Sequence, residues 1–370
     1  MKLYKNAGAF LLDVDRLVAV SEDGLGSVSD ARLRGKMAER LAVRAPGADE
    51  VLLRVEYVGV CGSDVHYFHA GCCGAFAVDP ERDIPYVLGH ECAGTVVEVG
   101  ENVKNLAVGD RVCCEPGVPC GHCEQCRSGH YNLCPDVVFW ATPPVQGCYE
   151  RYVPFRADFC FRLPENVSTR AGALAEPFAI GMYAAELGEV TVGSTVAILG
   201  SGCIGLMTLL ACRARGAKEI IVTDLEDVRL EKARELGADR VVNTRREDAL
   251  AAIGEYTHGR GVDVVFETAG SRVTIGQTPF AARLGGLVVL VGISPEEELP
   301  YNFGQVMAKE LRIKSVFRYV NMFPKTVAAI AAGAPIEQVV THEYALEDIQ
   351  QAFDDSVHRK NEVVKAIIRI

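Results

Sequence analysis

Two rhythms of apolar and polar positions divide the chain of 370 residues. Up to about residue 170, short apolar runs of strand length recur between turn-forming residues: Ala9–Leu12, Val51–Val58, Gly94–Val99, Asp110–Cys114 and Tyr149–Val153. Between Ser21 and Met37 the rhythm stops. That stretch is polar and glycine-rich and predicts a loop or the tip of an extended hairpin. From about residue 174 the pattern changes to strand, helix, strand. Predicted strands are Thr195–Leu199, Ile220–Thr223, Arg240–Val242, Val262–Phe266, Leu287–Val291 and Arg312–Val316. Helical patterns over Ile204–Arg215, Arg229–Leu236 and Ile275–Arg283 fill most of the gaps. Strands alternating with helices predict an α/β doubly wound parallel sheet. The tail from Thr326 is mixed, and its last run, Glu362–Ile370, alternates and is expected to pair back onto the β-rich first segment.

Composition narrows the function. Hydrophobic residues make up 49% of the chain and the formal net charge is −11. An acidic chain without clustered Lys and Arg excludes nucleic acid and anionic membrane surfaces as partners. No apolar run approaches the ~20 residues of a spanning helix. Acidic residues interrupt the run after Met1 too early for a signal peptide, so the expected location is cytoplasmic. Fourteen cysteines in such a chain point to metal, reactivity or small buried core positions rather than to a disulfide framework.

The run Val196–Gly205 places G-x-G-x-x-G between a predicted strand and a predicted helix. Gly200 allows a tight turn, Gly202 lets backbone approach a pyrophosphate, and Gly205 lets the helix pack on the strand. Asp224 ends the next strand, where a carboxylate binds ribose hydroxyls and repels a 2′-phosphate; this favours NAD over NADP. Arg229 lies close by and is the group that would accept such a phosphate. Cys203 and Ile204 in the turn, with Val291, Ile293 and Arg318 further on, complete the candidate cofactor contacts.

Two groups have the chemistry of metal ligands. Cys61 follows a strand-like run and Gly89-His90-Glu91 follows a later turn, offering a thiolate, an imidazole and a carboxylate. Zinc accepts S, N and O donors, and a catalytic zinc keeps one position open. Cys120, Cys123, Cys126 and Cys134 are spaced C-x2-C-x2-C-x7-C and can close a tetrahedral shell. Zinc suits them, and an iron–sulfur cluster uses similar spacing. Four thiolates leave no open position, so a metal there braces a loop.

These residues, together with Cys61-Gly-Ser-Asp-Val-His-Tyr67, Glu115–Cys120, Phe139-Trp-Ala-Thr-Pro-Pro144, Leu174-Ala-Glu-Pro-Phe178 and Val316-Phe-Arg-Tyr319, resemble the zinc-dependent medium-chain alcohol dehydrogenases, and within them the sorbitol/xylitol (polyol) dehydrogenase group. The resemblance implies a GroES-like β-rich catalytic domain from both chain ends, residues 1–173 and 319–370, with a Rossmann domain over 174–318. It implies a cleft between the two and a dimer or tetramer. By position, Cys61, His90, Glu91 and Glu176 match the catalytic zinc site, with Glu176 binding the metal directly or through its water. Asp64 matches an acid that orients His90. Tyr67, Phe139, Glu176, Arg318 and Tyr319 match a polyol pocket, and Ser63 and His66 a proton path to solvent. The implied reaction takes hydride from carbon 2 of sorbitol, xylitol or iditol to NAD⁺ and leaves a ketose. A threonine or butanediol dehydrogenase would share metal and cofactor. A non-catalytic dinucleotide-binding relative would have lost ligands that this chain retains.

Overall fold

The computed structural model describes residues 4–370; Met1–Leu3, where the reading of the N-terminus begins, lie outside the described residues. The chain forms two compact units. One runs up to Glu176 and includes Val340–Ile370; the other is Pro177–Val339. Residues 319–339, placed by the sequence reading in the first domain, belong to the second unit. Their helix, Phe323–Ala331, buries Phe323, Val327 and Ile330, and Lys325 pairs with Glu186 at 2.7 Å. Among the described residues, no helix is long and apolar enough to cross a membrane.

The first unit is built on a mixed sheet. Its order is Cys160–Arg162, Arg111–Cys114, Glu91–Val99, Glu50–Gly59, Ala366–Arg369 and His342–Ala345, with Tyr152–Arg156 also pairing along Glu50–Gly59. The expected return of the C-terminus is present: Ala366–Arg369 lies antiparallel to Glu50–Gly59, with Ile367 opposite Gly59. The inward positions of these strands meet Phe10, Phe68, Tyr86, Tyr149 and Phe353 in one core. Cys92, Cys113, Cys114, Cys148 and Cys160 are buried free thiols in this unit, and Cys212 is another in the second.

The stretch Ser21–Met37 is not a bare loop. It contains a 3-10 turn, Glu22–Ser27, and the start of an α-helix, Ala31–Leu41. Asp30 caps that helix, its carboxylate accepting from the N–H groups of Arg32 and Leu33. The cap and the Leu33, Met37, Leu41 spacing are helix signals that the glycines before them obscure. Met37 and Leu41 are fully buried, worth about 1.5–3 kcal/mol each.

The second unit is a parallel sheet in the order Arg240–Asn243, Glu219–Asp224, Thr195–Leu199, Val262–Glu267, Ala282–Leu290 and Arg312–Ser315. Among the described strands of this unit, taken in chain order, the arrangement is 3-2-1-4-5-6. The direction of winding reverses between Thr195–Leu199 and Val262–Glu267, whose carboxyl ends therefore flank the crevice where open α/β sheets bind ligands.

Candidate active site

Sheet register brings the first metal-ligand set together. Glu91 opens its strand directly opposite Gly59, the last residue of Glu50–Gly59. Cys61 lies two residues beyond Gly59 as the N-cap of the helix Gly62–Ala70. The ligand atoms of Cys61, His90 and Glu91 all lie within 4.8 Å of one another. His90 and Glu91 are buried and Cys61 half-buried. Two glycines make room. A Cβ on Gly59 would stand 1.9 Å from Glu91 Oε2, and Gly89, at φ +92°, presses against the Tyr149 ring.

Asp64 organises this corner from complete burial. Its Oδ1 accepts from the Gly89 N–H at 3.0 Å and faces His90 Nδ1 at 3.5 Å; its Oδ2 accepts from the Cys61 N–H at 3.4 Å. A carboxylate on one side of an imidazole is the usual support of a ligating histidine. Burial alone would depress the His90 pKa, but the charges of Asp64 and Cys61 outweigh it and hold the imidazole well above its ordinary value. Such an electron-rich corner, with thiol, imidazole and carboxylate converging away from water, suits a divalent cation.

Glu91 has a partner that the linear pattern did not announce. Lys365, buried beside the C-terminal strand, lies 2.7 and 2.5 Å from its two oxygens and also donates to the Val60 carbonyl at 2.8 Å. A carboxylate has about four lone-pair directions, so Glu91 can meet both Lys365 and a metal. Glu176 is buried on the helix Ala175–Leu187. Glu115 is buried too: desolvation pushes its carboxyl up to about 7, the Tyr131 hydroxyl at 2.7 Å pulls it down, and the charge of Glu176 adds to the rise. Glu115 had no assigned role in the sequence reading; only its position in Glu-Pro-Gly-Val-Pro-Cys marked it.

Of the other predicted residues in this unit, Tyr67 is buried with its ring edge-on to Tyr86, and Phe139 is tilted against the His90 ring at 5.7 Å. Ser63 and His66 occupy the first turns of the helix Gly62–Ala70, Ser63 half-buried and His66 exposed. Desolvation, with Lys360 and His69 nearby, holds the His66 imidazole below its usual pKa.

The four-cysteine loop forms a second donor set. Sγ of Cys120, Cys123, Cys126 and Cys134 lie within 4.8 Å of one another, with Cys120–Cys126 at 3.9 Å and Cys123–Cys126 at 3.4 Å. A tetrahedron with Zn–S bonds of about 2.3 Å has edges of about 3.8 Å, so the set fits zinc. Backbone N–H groups of Cys120, Cys123 and Cys126 point at the sulfurs at 3.3–3.4 Å, as they do toward thiolates. Backbone donors, that of His122 first, pull the Cys120 thiol down to about 6.

In the second unit, the glycine turn has the shape the motif predicts. A Cβ on Gly205 would lie 2.0 Å from the Gly200 carbonyl oxygen, and one on Gly200 would strike Ala269. A Cβ on Gly202 would meet nothing within 4 Å among the described residues, and Gly202, the N-cap of the helix Cys203–Ala214, has no side chain to cap it. The backbone N–H groups of its first turn and its positive end suit a pyrophosphate. Asp224 ends its strand with Oδ2 accepting from Ser201 N–H at 2.7 Å and Oδ1 from Glu226 N–H at 2.9 Å; Arg229 stands 4.0 Å away. Val291 N–H donates to the Glu267 carbonyl at 2.8 Å, and Ile293 is 74% exposed. Arg318 has a left-handed backbone and lies over the Phe317 ring; Tyr319 is buried against Phe323.

A β-rich unit holding a thiol–imidazole–carboxylate set and a four-thiol loop, in one chain with a dinucleotide-type parallel sheet, defines a zinc-dependent dehydrogenase class. The comparisons agree. Residues 47–165 match the alcohol dehydrogenase GroES-like domain and residues 203–332 the zinc-binding dehydrogenase domain. The chain is 44% identical to the sorbitol dehydrogenase of Bacillus subtilis, over 89% of this chain and 93% of that one. An Escherichia coli oxidoreductase of unknown specificity has a solved structure that superposes with a TM-score of 0.90 at 43% identity, covering 99% of both chains. The 2R,3R-butanediol dehydrogenase of B. subtilis superposes with a TM-score of 0.85 at 30% identity, again over 99% of each. The chain belongs to the zinc-type alcohol dehydrogenase family, whose members use zinc and a nicotinamide dinucleotide.

Proposed function

We propose that the protein oxidises a secondary hydroxyl, at carbon 2 of an open-chain polyol such as sorbitol, xylitol or iditol, to a ketose, with NAD⁺ accepting the hydride. The observation that carries this reading is the buried convergence of Cys61, His90 and Glu91, in a chain 44% identical to a sorbitol dehydrogenase. Cys61, His90 and Glu91, with Glu176, would hold zinc, which when bound supplies the Lewis acidity that lowers the pKa of a hydroxyl. Asp64 fixes the orientation of His90. Tyr67 and Phe139 wall the metal side against water, and the fork of donors on Arg318 suits neighbouring hydroxyls. Ser63 and the exposed His66 give the hydroxyl proton a path to solvent, because an imidazole held below its usual pKa is free to accept it near neutrality. The four thiols of the Cys120–Cys134 loop would hold a second, bracing zinc.

The reading is tested by following NADH formation with xylitol, sorbitol, threonine and 2,3-butanediol, before and after chelation. Polyol turnover that the chelator abolishes and zinc restores is the expected result. Turnover of butanediol or threonine alone, the former favoured by the structural likeness to a butanediol dehydrogenase, removes the polyol assignment.

Asp224 supports NAD as the cofactor. Asp224→Ala should weaken NAD⁺ use by roughly 10–150-fold in kcat/KM, the worth of one hydrogen bond to a charged group, and raise the relative use of NADP⁺ beside Arg229. An unchanged NAD⁺/NADP⁺ ratio would show that Asp224 does not read the ribose.

A further inference from the structure

Glu267 ends the fourth parallel strand, at the point where the winding of the sheet reverses. It is completely buried. Oε1 collects three donors: Ala269 N–H at 3.0 Å, Gly270 N–H at 2.9 Å and Thr274 Oγ1 at 2.7 Å. Its main-chain carbonyl accepts from Val291 N–H at 2.8 Å and Gly292 N–H at 3.0 Å. Oε2 has no hydrogen-bond partner among the described residues. It lies against Gly292, where a Cβ would come within 2.8 Å of Oε2 and 2.2 Å of the Gly270 nitrogen.

The neighbours carry this arrangement to the glycine turn. Thr268 donates its hydroxyl to the Gly200 carbonyl at 2.8 Å, and Ala269 sits where a Cβ on Gly200 would strike it. The Glu267 side chain therefore holds the segment 268–274, which carries Thr268 and Ala269 against the turn at Gly200, while its main-chain carbonyl holds Val291 and Gly292. Packing alone does not require a carboxylate here. Burying one is costly, and an apolar side chain of similar size would fill the space. What a carboxylate adds is an acceptor strong enough to hold two backbone N–H groups and a hydroxyl on one oxygen.

We propose that Glu267 is a positioning residue for the dinucleotide. It does not touch the cofactor. Its carboxylate holds the backbone of 268–270 in the arrangement that seats Thr268 and Ala269 beneath the glycine turn, with Oε2 packed against Gly292. The inference rests on reading that turn as the cofactor site.

The test uses the full-length, zinc-loaded protein and the variant Glu267→Gln, which keeps the shape and removes the charge. NADH affinity is read by fluorescence titration, KM for NAD⁺ and kcat by steady-state turnover, and zinc by metal analysis. The expected result is a rise of about tenfold in the NADH Kd and in KM for NAD⁺, the worth of one charge-assisted hydrogen bond. Saturating kcat and zinc content should stay within about twofold, since only cofactor binding is weakened. Thr274→Val, which removes one of the three donors, should move Kd in the same direction by less. A merely structural role would lower the active fraction, and so kcat, at unchanged KM; that pattern, or an unchanged Kd in Glu267→Gln, overturns the proposal. If Glu267→Gln does not fold, an unchanged Kd in Thr274→Val overturns it. A wild-type protein that binds no NADH overturns the cofactor reading, and this inference with it.

Discussion

Replacing Cys61 by Ser is expected to lower kcat/KM by at least ~10³ and to remove one zinc per chain, leaving the zinc of the Cys120–Cys134 loop in place. The magnitude follows from what the thiolate supports. Lewis-acid polarisation of a hydroxyl is worth several kcal/mol, and about 4 kcal/mol is a factor of ~10³. A serine hydroxyl is a poor ligand beside a thiolate, and the donors left at His90, Glu91 and Glu176 would hold zinc less tightly without it. The fold should survive, because Cys61 is only half-buried and its helix is held by the burial of Asp64, Tyr67 and Phe68. Metal analysis and steady-state kinetics on the same preparation check the result. Retention of both activity and zinc would show that the group at Cys61, His90 and Glu91 is not the catalytic centre.

Lys365→Met tests the other buried charge in that corner, and its largest effect is on stability. The side chains of Lys365 and Glu91 are 2% and 1% exposed. Removing one partner of a buried pair leaves the other uncompensated, at a cost of about 3–5 kcal/mol. For a unit of this size that is a fall in Tm of roughly 6–20 °C. The methionine keeps most of the aliphatic stem, so the loss is electrostatic and includes the bond to the Val60 carbonyl. The fall should be larger after chelation than with zinc bound, because a cation on Glu91 replaces the lost lysine. Thermal unfolding in both states measures this. An equal fall with and without zinc would mean that Glu91 does not face the metal.

These two residues show how unevenly the site could be read. Cys61, His90 and Glu91 stand out in the linear chain because thiol, imidazole and carboxylate next to glycines are an unusual combination. Lys365 does not. It sits in Val-Val-Lys-Ala-Ile, where a lysine on an alternating strand is ordinarily taken as solvent-facing. Only the pairing of Ala366–Arg369 with Glu50–Gly59 turns it inward against Glu91. Glu267 was hidden in the same way, as one acid at a strand end whose three donors come from the turn and the first turn of the helix that follow it. The helix Ala31–Leu41 was missed for a local reason, since the glycine-rich stretch before it masked the Asp30 cap and the Leu33, Met37, Leu41 stripe.

By itself, the order of residues determined whatever depends on short-range pattern: the strand–helix alternation of the second unit, the glycine turn with its acid, and the two sets of metal-ligand types, since periodicity and spacing are properties of neighbours along the chain. The tertiary structure decided what depends on register and on contacts across long separations. It set Glu91 opposite Gly59, turned Lys365 inward from the far end of the chain, and gave residues 319–339 to the second unit. The physical reason is that strand pairing and charge burial are settled by the whole sheet at once, and no window of sequence contains both partners.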